Sequence, residues 1–197
     1  MLTQAALVKF IIAAAQPVAA AHEVDRLTYV CEHHWKGWQD ACKAKDAVDP
    51  KAMPKPSTAW INAAAAEIIA APLFPGDPKR EVVHMLVYAM GESAYRDDAV
   101  GDGGKSFCSL GVMVGYGASA EDLLQKPAVC VRVSRLVMRS SFRCWPDHPM
   151  ACYAGWHNSN AARIADARAR LVGALVETLP GLEDVAGVAG DGVVRTD

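Results

Sequence analysis

The sequence predicts a mainly α-helical protein, and three observations lead there. Apolar residues recur at helical spacing in the long segments, as in Val82, Leu86, Ala89 and Ser93. Proline and glycine clusters punctuate those segments, and good N-cap residues stand just after the clusters. Any strand is confined to a small hairpin in one glycine-rich loop. With 197 residues, 52% hydrophobic and 21% charged, the chain suits one domain with modest extensions and a sizeable core. A net charge of −2 argues against nucleic acid as a partner held by bulk electrostatics.

Along the chain, residues 1–56 read as an N-terminal helical extension and linker, 57–179 as the main domain and 180–197 as a loose tail. The first stretch, MLTQAALVKFIIAAAQPVAAAHEVD, leaves two readings open. It resembles a signal peptide with a small-residue cleavage site before His22, and it also reads as an amphipathic helix interrupted by Lys9. Without 18 uninterrupted apolar residues, no stable membrane insertion is expected. A helix is expected over Asp25–Asp46, carrying Leu27, Val30, Trp35, Trp38 and Cys42; the tryptophans could stack on sugars, but at helical spacing they are expected in the core. The prolines of Asp49–Ser57 make a linker, after which Ser57 caps a helix running to about Ala71. Asp77 and Pro78 start the next, Lys79–Ser93. Short helices are expected near Ser109–Met113, Ala120–Leu124 and Val129–Ser140. The last, Asn160–Leu179, places Ile164, Arg168, Leu171, Val172 and Leu175 on one face.

Glu92 falls in the last turn of the Lys79–Ser93 helix, about 80° off its apolar stripe and beside Tyr88 and Met85. A carboxyl at the border of a core is where an acid that must stay protonated would sit. Its bland alternative is a solvated carboxylate at a helix C-terminus, where the helix dipole disfavours negative charge.

The order of the short motifs around Glu92 is informative. Glu92–Ser93, then GDGGKSF (Gly101–Phe107), SLGVM (Ser109–Met113) and YAGW (Tyr153–Trp156) resemble the lysozyme-like superfamily. The nearest members are goose-type lysozymes and soluble lytic transglycosylases, bacteriophage relatives included. The resemblance spans roughly Trp60–Val176 and implies a helical lysozyme-like domain that cleaves the β-1,4 bond between N-acetylmuramic acid and N-acetylglucosamine. It implies Glu92 as general acid, Ser109, Met113 and Tyr153 as groove residues, glycan strands of peptidoglycan as partner, and no cofactor. A periplasmic, extracellular or virion-associated setting follows, with phage particle or secretion-machinery components as further partners. Val114 departs from the pattern, which has glutamine there.

Asp102 keeps two readings: a second carboxylate folded back across the cleft, or a turn residue bonded to its own loop. Lytic transglycosylases need only one glutamate, which serves as acid and then base. Two rival classes remain. One is a non-catalytic wall-binding or phage structural module of the same fold, favoured by Val114. The other is a metal-binding helix using Cys31, His33, His34 and Cys42 with His22 nearby, although that spacing matches no common zinc pattern. The six cysteines allow disulfides, above all among Cys130, Cys144 and Cys152, or buried thiols.

Overall fold

A computed structural model describes residues 2–145, 147–155 and 159–186. Helix makes up 69% and strand 3%, so the mainly helical expectation holds. The helices are α1 (Gln4–Glu32), α2 (Trp38–Ala44), α3 (Thr58–Ala70), α4 (Pro78–Ser93), α5 (Ala120–Gln125), α6 (Pro127–Cys144), α7 (Ala151–Gly155), α8 (Ser159–Thr178) and α9 (Leu182–Ala186). Three two-residue strands, β1 (Val100–Gly101), β2 (Ser106–Phe107) and β3 (Val112–Met113), form an antiparallel sheet in that order.

The N-terminal segment is a single 29-residue helix that packs against α2, α3, α4, α8 and α9. Leu7, Phe10, Ile11, Ala14, Ala15, Val18 and Ala19 follow a three-and-four spacing and are buried in the same apolar cluster as Trp60, Leu86 and Val172. What read as an extension thus contributes a face of the core. By length and composition alone α1 is also apolar enough to cross a membrane.

The helix expected over Asp25–Asp46 is broken. His34 and Gly37 take left-handed φ of 50° and 80°, reversing the chain, and the Cys31–Cys42 disulfide closes the corner. Trp35 and Trp38, expected in the core, are 55% and 36% exposed on this corner. Both thiols of the metal reading are spent on that bond. The proline linker is docked rather than free, since the Gln16 amide donates to the carbonyls of Lys51 (2.8 Å) and Met53 (3.1 Å). Ser109–Met113, expected as helix, is a turn leading into β3, and the tail contains α9.

α3 and α4 start where their caps predict: Ser57 accepts from the Trp60 amide and Asp77 from the Arg80 amide. Every residue of α4 from Glu81 to Ala89 is buried, more than the single stripe expected. Glu81 is buried because Arg135 of α6 meets it. The Arg135 guanidinium is paired with Glu81 and also donates to the Ala71 and Glu67 carbonyls, each at 2.7 Å. The second Glu81 oxygen accepts from the Leu73 amide at 2.7 Å. One buried ion pair therefore ties together α3, α4, α6 and the loop between α3 and α4.

Cys31–Cys42, Cys108–Cys130 and Cys144–Cys152 are all bonded. Of the cysteines singled out above, Cys144 and Cys152 pair with each other, while Cys130 pairs with Cys108. Intact mass under non-reducing conditions is expected to show no free thiols. A Cys144→Ala/Cys152→Ala variant should lose roughly 2–4 kcal/mol of stability in urea titration.

Candidate functional site

α4 stops just after Glu92 because Ala94 and Tyr95 both adopt left-handed φ, 54° and 65°. The turn is anchored at its far end, where the Tyr95 hydroxyl donates to the Ala15 carbonyl of α1 at 3.3 Å. Glu92 is thereby fixed at the mouth of the sheet, and the Ser93 hydroxyl bonds the Ser109 carbonyl across the gap at 2.8 Å.

Two glycines allow side chains to close on this helix end. A Cβ on Gly111 would stand 2.9 Å from Glu92 Oε2, so the carboxyl rests directly on the Gly111 backbone. A Cβ on Gly91 would meet Arg168 Nη2 at 2.7 Å and His22 Nε2 at 2.9 Å. Arg168 uses that space: its Nη1 donates to Glu92 Oε1 at 2.5 Å while its guanidinium lies 4.6 Å over the Tyr88 ring. The Glu92 side chain is 27% exposed and that of Arg168 12%. The carboxyl is thus paired with a cation, where the sequence suggested only the apolar neighbours Met85 and Tyr88. His22 is held neutral, lowered to about 4 by burial first and then by the charge of Arg168.

A groove of about 470 Å³ adjoins Glu92 across Gly111, which lines it together with Met113, Val114, Tyr116, Ser141 and Tyr153. Glu92 stands at its edge behind Gly111 rather than in its wall. Met113 and Tyr153, the groove residues of the resemblance, both line this groove. The Tyr153 hydroxyl donates to the Leu110 carbonyl at 2.5 Å, and it is pushed up from its ordinary pKa by burial and then by the charge of Glu92. Ser109 is corrected: it is fully buried, its hydroxyl 3.6 Å from Cys130 Sγ behind the sheet, so it is no groove residue. Trp156 of the YAGW motif lies outside the described residues.

Asp102 occupies the β1–β2 turn at φ 50°, exposed, just past the Gly101↔Ser106 pair. Glu92 touches Gly111, which precedes β3 at the opposite end of the ladder. Two strand spacings and three residues of rise put the Asp102 and Gly111 backbones roughly 14 Å apart. The register thus sets the Asp102 turn at the end of the sheet away from Gly111, on which Glu92 rests. Among the described residues no three or more His, Cys, Asp or Glu side chains gather as a metal site.

Arg168 was the residue sequence reasoning missed. Its signal was a cation on the otherwise apolar face of the last helix, between Ile164 and Val172; its partner is 76 residues away. No protein-family model, no curated protein and no solved structure matches the chain.

Proposed function

We propose that the protein cleaves peptidoglycan at the β-1,4 bond between N-acetylmuramic acid and N-acetylglucosamine, with Glu92 as general acid and then base, in the manner of a lytic transglycosylase. The observation that carries this reading is the seat of Glu92. It ends α4 against the Gly111 backbone, at the edge of the groove that holds Met113 and Tyr153. A proton donor must reach a glycosidic oxygen lying over the groove floor, and a side chain without a Cβ opposite gives it that approach. For delivery, the Arg168 guanidinium has to leave Oε1 as the glycan enters. Three disulfides suit an oxidising compartment, periplasmic, extracellular or on a virion.

The remoteness of Asp102 favours single-glutamate chemistry, in which the sugar's own hydroxyl attacks. Purified protein acting on peptidoglycan should release fragments with 1,6-anhydromuramyl ends, read by mass spectrometry. Asp102→Asn should keep activity within about tenfold, a barrier change of no more than ~1.4 kcal/mol. Mostly reducing ends would assign hydrolysis, and no release at all would overturn the enzymatic reading. The second reading, a non-catalytic wall-binding or phage structural module, has two observations in its favour. Val114 is 48% exposed in the groove where the resemblance expects glutamine, and Arg168 occupies the Glu92 carboxyl.

A further inference from the structure

The sequence of α6, PAVCVRVSRLVMRSSFRC, holds four arginines and no acidic residue, in a chain whose net charge is −2. Arg135 is the buried one, and Glu81 is its counter-ion. The other three, Arg132, Arg139 and Arg143, fall with Leu136 on one arc of about 60°, at 100° per residue. Arg132, Leu136 and Arg143 are exposed and Arg139 is half-buried. Together they make a stripe roughly 16 Å long down the helix. The apolar side chains Val131, Val133 and Met138 are turned into the core instead.

The charge of this stripe has no internal answer. Among the described residues no carboxylate lies within 4.0 Å of Arg132, Arg139 or Arg143. Arg139 donates to the Ala71 carbonyl at 3.1 Å, a neutral acceptor. The stripe also borders the groove at Gly111. Ser140 and Cys144 line that groove and come next round the helix, beginning about 40° past Leu136. A polymer seated in the groove therefore has three guanidinium groups along one rim.

The chemistry of the rim narrows the occupant. Guanidinium groups without internal partners recruit anions, and a planar carboxylate meets the guanidinium fork with two bonds. An N-acetylated glycan strand is itself neutral. The anionic part of peptidoglycan is the short acidic peptide carried by each muramic residue. That peptide leaves the strand sideways, toward a groove rim, and Leu136 offers apolar surface to its alanine methyls. A membrane surface fits less well. A helix lying on lipid sets a broad apolar face beside its basic one, whereas α6 leaves only Leu136 exposed among its large hydrophobics.

We propose that Arg132, Arg139 and Arg143 bind the acidic stem peptide of the strand whose glycan occupies the groove, so that peptide-bearing wall is preferred over bare glycan. This rests on the reading of that groove as a glycan site. Full-length protein carrying Glu92→Gln, so that cutting does not interfere, is sedimented with peptidoglycan freed of phosphate polymers and with the same strands stripped of peptide by an amidase. Intact wall should bind about tenfold more tightly than stripped strands at low salt, and the advantage should shrink as salt rises. Arg132→Gln/Arg143→Gln should abolish that advantage while binding stripped strands within about twofold of the parent, and Arg132→Lys/Arg143→Lys should keep part of it. Equal affinity of the parent for both walls, or an equal loss on both in the glutamine variant, would overturn the peptide assignment and leave the groove reading standing. Sedimentation with phosphatidylglycerol vesicles that depends on the same arginines, with no peptide-dependent gain on the wall, would reassign the stripe to a membrane surface and overturn it too. A parent that binds neither wall would remove the glycan reading and this one with it.

Discussion

Glu92→Gln is expected to lower the release of soluble wall fragments at least about 100-fold, the scale of one lost acid–base catalyst. Glutamine keeps the length and shape that rest on Gly111, and its amide oxygen can still accept from Arg168 Nη1, so the packing of the helix end survives. The ion pair it replaces is partly exposed, 27% on the Glu92 side, and pairs of that kind contribute about 0–1 kcal/mol. Thermal denaturation should therefore move by only a few degrees while turnover collapses. Fragment release equal to wild type, measured by mass spectrometry of the soluble fraction, would remove Glu92 from the mechanism and leave the wall-binding module as the better account.

The largest effect on stability is expected away from this site. Arg135→Met should cost about 3–5 kcal/mol in urea denaturation, because it strands the fully buried Glu81 carboxylate without its cation. Methionine fills much of the same space, so the loss is electrostatic and not that of a cavity. Adding Glu81→Gln should recover part of it. A neutral amide needs no counter-ion and can still accept from the Leu73 amide, whereas the Ala71 and Glu67 carbonyls each lose one of two donors, keeping Arg139 Nη2 and the Ala71 amide respectively. Full recovery in the double variant would mean those carbonyls find water.

What could be read from the chain and what could not divide along the distance over which each interaction acts. The starts of α3 and α4 were legible because their caps lie within three residues of the amides they satisfy. Glu92 was legible for the same reason, its place in the last turn following from local periodicity. The corner at His34 and Gly37 was hidden by an apolar pattern that continues across it, and the reversal rests on a disulfide closing residues 11 apart. Glu81 with Arg135, separated by 54 positions, and Glu92 with Arg168, by 76, leave no periodic trace. Asp102 was ambiguous because glycines permit a turn to point either way, and the pairing of Gly101 with Ser106 that sets the turn is a register no local pattern announces.

The place of α1 in the core has a consequence for how the chain comes into being. Its stripe from Leu7 to Ala19 is made well before the surfaces it meets on α4 and α8, which begin at Pro78 and Ser159. At roughly 5–20 residues per second, the newborn helix waits on the order of ten seconds or more with its apolar face uncovered. During that interval it offers hydrophobic surface to whatever holdase or translocation machinery is at hand. The last long helix among the described residues, α8, also packs against it and delivers Arg168 to Glu92, so the carboxyl acquires its cation only once the chain has grown 76 residues past it.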